Sequence, residues 1–201
     1  MERADTEIVE KLRSECGLSV TSIDDLVNTK ERYKEAYPAL LQLLNRDYPI
    51  RIREMIVRSL TVPDARDIAF DRLVKMYAEP EHVVTSRAIG YESYRSALAN
   101  AISVLANRAD REIIKQLAQD HKYGASRSAF VRSMSRWKDR SVDAIVLDAL
   151  SDPDTQYAAV EAAGTRRLVS AVPELDKLVG SRNKDLARAA KRALQRMPRV
   201  D

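Results

Sequence analysis

The sequence is poor in the residues from which most reaction centres are assembled. It has one cysteine, Cys16, and two histidines, His82 and His121, which excludes an intrachain disulfide and a zinc site built from Cys and His. Its 5 glycines stand singly at 17, 90, 124, 164 and 180. No glycine-rich phosphate loop is therefore available, and neither a Gly-x-Ser-x-Gly elbow nor a His-Glu-x-x-His pair occurs. Apolar runs are short: Tyr37 to Leu44, one of the longest, is far below the roughly 20 residues a bilayer-spanning helix needs. The opening MERADTEIVEKLR places no apolar segment behind its charges, so neither a secretion signal nor a membrane anchor is read there. With one thiol, the expected location is the reducing cytoplasm.

What is present is the composition of a folded helical chain. The 201 residues are 45% hydrophobic and 32% charged, with 34 Lys+Arg against 30 Asp+Glu, which fits one ordered domain spanning 1–201. Apolar residues recur with helical spacing at Ile52, Ile56, Val57 and Leu60, and again at Ile113, Ile114, Leu117 and at Ile145, Val146, Ala149, Leu150. No period-2 alternation competes. Short breaks with turn or capping residues separate these stripes, among them Pro63-Asp64, Tyr123-Gly124 and Ser151-Asp152-Pro153-Asp154, so successive helices are expected to pack antiparallel.

The chain also resembles itself. Arg-Glu-Met-Ile-Val-Arg-Ser-Leu at 53–60 aligns without gaps on Arg-Ser-Ala-Phe-Val-Arg-Ser-Met at 127–134. With the first Arg as position zero, the same frame fits at Arg95, Gln156 and Ala187, the five starts being 42, 32, 29 and 31 residues apart. Small or apolar residues fall mainly at plus two, three, six and seven. A repeating unit of about one helical hairpin follows.

Ser-Asp-Pro-Asp-Thr-Gln-Tyr-Ala-Ala-Val-Glu-Ala-Ala-Gly at 151–164, with the apolar segments on either side of it, is similar to the HEAT repeat: an apolar helix A, a short Asp/Pro turn and an Ala-rich helix B. Pro-Ala-Leu-Leu-Gln-Leu-Leu at 38–44 with Ile52-Arg53 is similar too. The resemblance covers about 37–197 and implies an all-α fold, an α/α superhelix of about five hairpins at 36–197 behind an N-terminal helical cap at 1–35. The reading puts helices A at 36–46, 65–78, 110–120, 141–151 and 171–180, and helices B at 50–61, 91–107, 125–138, 154–166 and 184–197. The cap is expected to hold helices at 4–16 and 22–35, and 78–90 to be an exposed insertion.

In that geometry the zero-position Arg53, Arg95 and Arg127 are expected to pair with acidic turn residues and fix the stacking. Cys16 is expected to be a packing residue, and His121 to satisfy carbonyls at a helix end. Positions plus one and plus five lie off the apolar face of helix B and, by the resemblance, point to the concave side: Glu54/Arg58, Ser96/Asn100, Ser128/Arg132, Tyr157/Glu161 and Arg188/Arg192. Trp137, the only tryptophan, and Tyr157 are candidate anchors, because interface hot spots favour Trp, Tyr and Arg. Basic charge gathers at the end of the chain, where Arg182, Lys184, Arg188, Lys191, Arg192, Arg196 and Arg199 face only Asp185 and Asp201. Such a helix serves either as a solubilising cap or as a docking site for an acidic protein or a phosphate backbone.

The functional expectation is a non-enzymatic protein-binding scaffold or adaptor. Its partner surface comprises Arg58, Asn100, Arg132, Trp137, Tyr157, Arg188 and Arg192, with no catalytic residue, metal or cofactor. The resemblance also covers three alternatives: an immunity protein that blocks a toxin, a DNA-binding protein of the alkylpurine DNA glycosylase type, and a lyase or scaffold helper for a covalently attached pigment or cofactor, which nothing in the sequence singles out. In the second, Asp139 and Asp143 beside Trp137 are the acids to examine.

Overall fold

A computed structural model describes residues 2–79 and 89–198. His82 and residues 80–88 of the expected insertion lie outside the described residues. The chain divides into two compact units, Met1–Asn107 and Arg108–Asp201, where the sequence reading takes 1–201 as a single domain. Both are helical, and no strand occurs among the described residues.

The first unit contains α1 (Glu2–Cys16), α2 (Asp24–Asn28), α3 (Tyr37–Leu43), α4 (Ile50–Ser59), α5 (Arg66–Ala78) and α6 (Tyr91–Leu105). Gly17, with φ +68°, ends α1, a conformation that favours glycine. The expected second cap helix at 22–35 is shorter than the sequence suggests. Thr29 turns extended, its hydroxyl accepts the backbone N–H of Glu31 at 3.0 Å, and only a 3-10 turn at Lys34–Ala36 follows. This break lets Tyr33 go into the core, its hydroxyl lying 2.8 Å from the Ser59 carbonyl oxygen. Burial pushes that phenol up to about 12. In this unit α3 pairs with α4 and α5 with α6, while α3 also packs on α5 and α4 on α6.

The second unit contains α7 (Arg111–Gln119), α8 (Ser128–Ser133), α9 (Asp143–Ala149), α10 (Gln156–Arg166), α11 (Val172–Val179) and α12 (Lys184–Gln195). The pairs are α7/α8, α9/α10 and α11/α12, and α10 lies between α8 and α12, packed on both. The helix expected over 125–138 is broken into three. Gly124, with φ 53° and ψ −143°, kinks the 3-10 segment His121–Arg127; α8 follows, then a 3-10 turn Met134–Arg136, and Trp137 is extended. α12 starts on Asn183, whose side-chain oxygen accepts the N–H groups of Asp185 and Leu186 at 3.0 and 3.2 Å.

The packing frame of the helices follows the sequence. At plus three, Ile56, Leu98, Phe130, Ala159 and Ala190 are all buried, and Ala158, Ala162 and Ala163 bury the rest of the α10 seam. Alanines there let neighbouring helices come close. A Cβ on Gly164 would stand 2.9 Å from Ala193 Cα, so α10 meets α12 almost backbone to backbone. At plus five, Arg58, Asn100, Arg132 and Arg192 are exposed and Glu161 is half-buried.

Candidate functional site

Of the zero-position arginines, Arg53 and Arg127 are buried and Arg95 is half-buried. Arg127 is buried and donates to Asp152 in the next turn, to the Ala118 carbonyl at 3.2 Å and to the Gly124 carbonyl at 3.1 Å. This is the stacking contact expected of it. Arg53 is buried as well, donating to the Arg46 carbonyl at 3.0 Å and lying over the Tyr94 ring, and Arg95 lies over the rings of Tyr77 and Tyr91. His121, expected on the surface or capping a helix end, is exposed, and its Nδ1 lies 3.1 Å from Asp152 Oδ2. Cys16 is half-buried, and loss of solvent around it raises its thiol pKa.

In the first unit the expected surface row is only partly open. Glu54, placed off the apolar face by the frame, is 2% exposed. The reason is that α4 is packed on by α2, α3 and α6 together, which leaves one open side. Arg58 lies on that side, and its guanidinium is committed to Glu54, with Nε 2.9 Å from Oε1. Asn100 is exposed on α6.

In the second unit the plus-five residues of three successive B helices come together. A cleft of about 460 Å³ is lined by Arg132 of α8, Glu161 of α10 and Arg192 of α12, with Arg196 just beyond. Its floor is made of small or apolar residues, Val160, Gly164, Ala189 and Ala193. Arg132 Nε donates to Glu161 Oε2 at 3.1 Å across the cleft, so one of its cations is already partnered. Arg192 and Arg196 have no ion-pair partner among the described residues. Tyr157 is 39% exposed but does not line this cleft. Neither does Arg188, which pairs along its own helix with Asp185 at 2.7 Å. The plus-one row is therefore separate from the plus-five row.

Trp137 belongs to a second cleft, of about 590 Å³, which shares Ser135 and Thr165 with the first. Sequence reasoning singled out Trp137 but not the basic residues around it: Arg136, Lys138 and Arg140, with Arg166 and Arg167 from the end of α10. Arg111 lies 5.1 Å from the centre of the indole. The cleft wall is organised by Arg166, whose side chain is only 8% exposed. Arg166 donates to Asp143 Oδ1, with Nε at 2.9 Å, and to the carbonyls of Met134, Trp137 and Asp139. It ties the broken end of α8 to α9 and α10.

The acids here are occupied. Asp143 receives Arg166, and Asp139 accepts the backbone N–H of Ser141 at 2.8 Å and its hydroxyl at 2.7 Å. These bonds hold the Asp139 carboxyl below its usual range. Among the described residues no group of His, Cys, Asp or Glu is placed to hold a metal ion. No helix among them is long and apolar enough to cross a membrane. No family model, curated protein or solved structure matches the chain.

Proposed function

We propose that the protein is a non-enzymatic binding module, a HEAT-like array of five hairpins acting in the cytoplasm. In this reading the row of helices α8, α10 and α12 receives an acidic segment of a partner protein. The observation that carries it is the 460 Å³ cleft, a floor of small and apolar residues under a rim of Arg132, Arg192 and Arg196 with Glu161 as the one carboxylate of the lining. A floor of that kind accepts an apolar side chain, and guanidinium groups beside it suit flanking carboxylates, which they bind in a planar, two-pronged geometry. Charge complementarity then sets which partner docks and how fast.

The two acids near Trp137 that a glycosylase-type reading would use, Asp139 and Asp143, are engaged by the Ser141 backbone N–H and by Arg166, whereas the docking cleft presents open guanidinium groups. A cationic rim also fits an acidic partner better than the basic nuclease an immunity protein of this class would block.

Selection from a random peptide library on the immobilised protein tests the reading. Peptides with carboxylates flanking an apolar residue should be enriched. Their affinity should fall by about 2 kcal/mol in the R132E/R192E variant, while Arg188→Glu leaves it unchanged. Enrichment without acidic character, or equal affinity for the double variant, would refute it.

A further inference from the structure

We infer that the cleft lined by Trp137 is a binding site for a small anion carrying two or more phosphate groups, independent of the docking cleft beside it. Four of its cations, Arg136, Lys138, Arg140 and Arg167, are exposed and have no ion-pair partner among the described residues, and its one lining carboxylate, Asp143, is held by Arg166. Of the arginines outside this cleft, Arg46, Arg58, Arg127, Arg132 and Arg188 each have an acidic partner, while Arg192 and Arg196 of the docking cleft have none among the described residues. Four uncompensated charges converging on one concavity repel each other, and an anion between them removes that cost. A single phosphate ester carries about −1.5 to −2 at neutral pH, roughly half of what the four cations call for, so a diphosphate or longer group is the better match. The volume, about 590 Å³, is that of a small-molecule site, which spans about 300–1,000 Å³.

Backbone geometry gives a second, separate observation. α10 ends in a loop in which Leu168 N–H donates to the Ala163 carbonyl at 3.0 Å and Arg167 N–H to the Gly164 carbonyl at 3.3 Å. Arg167 holds the left-handed position of that ending, φ 52° and ψ 48°, and is the only non-glycine with positive φ in the chain's described residues. Glycine is the usual occupant there, because it lacks the Cβ that crowds a left-handed backbone. A cation at a helix C-terminus gains something from the helix dipole, but Arg166, one residue earlier in a relaxed conformation, already supplies that. An arginine kept in the strained position and facing the cleft is accounted for by a ligand that needs its charge.

Trp137 is the only tryptophan in the chain, so emission excited selectively at tryptophan, apart from the 8 tyrosines, reports on this cleft. Titration of the full chain with pyrophosphate and with tripolyphosphate should give a saturable change in Trp137 emission that sulfate at matched ionic strength does not produce. Arg167→Gly should melt no lower than the parent protein yet bind tripolyphosphate at least fivefold more weakly; K138E/R140E should bind at least tenfold more weakly. R132E/R192E, which disables the docking cleft, should titrate like the parent, so failure of one reading is distinguishable from failure of the other. An equal response to sulfate, or undiminished binding by both Trp137-cleft variants, overturns the proposal. So does a short DNA duplex that saturates the signal below the tripolyphosphate concentration with a steep salt dependence, since that would mark a nucleic-acid backbone surface.

Discussion

Asp152 carries more of the second unit than its place in a turn suggests. It accepts from the buried Arg127, receives the backbone N–H of Asp154 at 2.9 Å, and has His121 Nδ1 at 3.1 Å. Burial works to raise its pKa; Arg127, the Asp154 N–H and His121 outweigh that and hold it below the ordinary 3.8. A carboxyl depressed in the folded state contributes stability above its unfolded pKa and loses it as pH falls through the folded one. Acid unfolding of this unit should therefore begin as pH drops below about 3.8, and Asp152→Asn should flatten that limb. At neutral pH the same substitution leaves a buried guanidinium without its counter-charge and should cost about 3 kcal/mol, measured by urea unfolding. Part of this was readable from the sequence, because Arg127 at position zero of a helix B was expected to pair with an acidic turn residue. Arg166 was not readable: its partners are three carbonyls and Asp143, which only a folded backbone brings together.

Among elements, the contact of α10 with α12 is the most sensitive to a small change. Alanine is ordinarily about 1 kcal/mol better than glycine inside a helix. Gly164→Ala should nonetheless destabilise, by a net 1 kcal/mol or more, because the added methyl would meet Ala193 Cα at 2.9 Å and backbone cannot step aside as a side-chain end can. The check is a thermal melt, in which a raised melting temperature would mean that α12 can move away. Ala159→Leu, at a fully buried plus-three position, should cost about 1–3 kcal/mol by overpacking. Helix positions and buried faces such as these were legible in the sequence, since a 3.6-residue period fixes which side chains share a face. The breaks were not. The second cap helix stops at Asn28, where Thr29 turns extended, and the helix expected over 125–138 keeps α-helical geometry only over Ser128–Ser133, with 3-10 turns on both sides and Trp137 extended; periodic patterning registers neither the single extended residue nor the change from α to 3-10. The basic Trp137 cleft was hidden for the same reason, its residues being drawn from turns.

For the molecule as a whole, the division of surface charge decides what it can bind. The net charge is only +4, yet Arg136, Lys138, Arg140, Arg167, Arg192 and Arg196 all line the two clefts of the second unit. The first unit supplies Arg58 and Asn100, the former tied to a buried Glu54. Partner binding is therefore expected to reside in residues 108–201, with the salt dependence of a charge-steered encounter. The most direct measurement is an amide chemical-shift map of the isotopically labelled full chain titrated with an acidic peptide from the library selection. The account predicts shifts confined to α8, α10, α12 and Arg196, with none on α7, α9 or α11. Shifts centred on those other helices, or on the first unit, would contradict it.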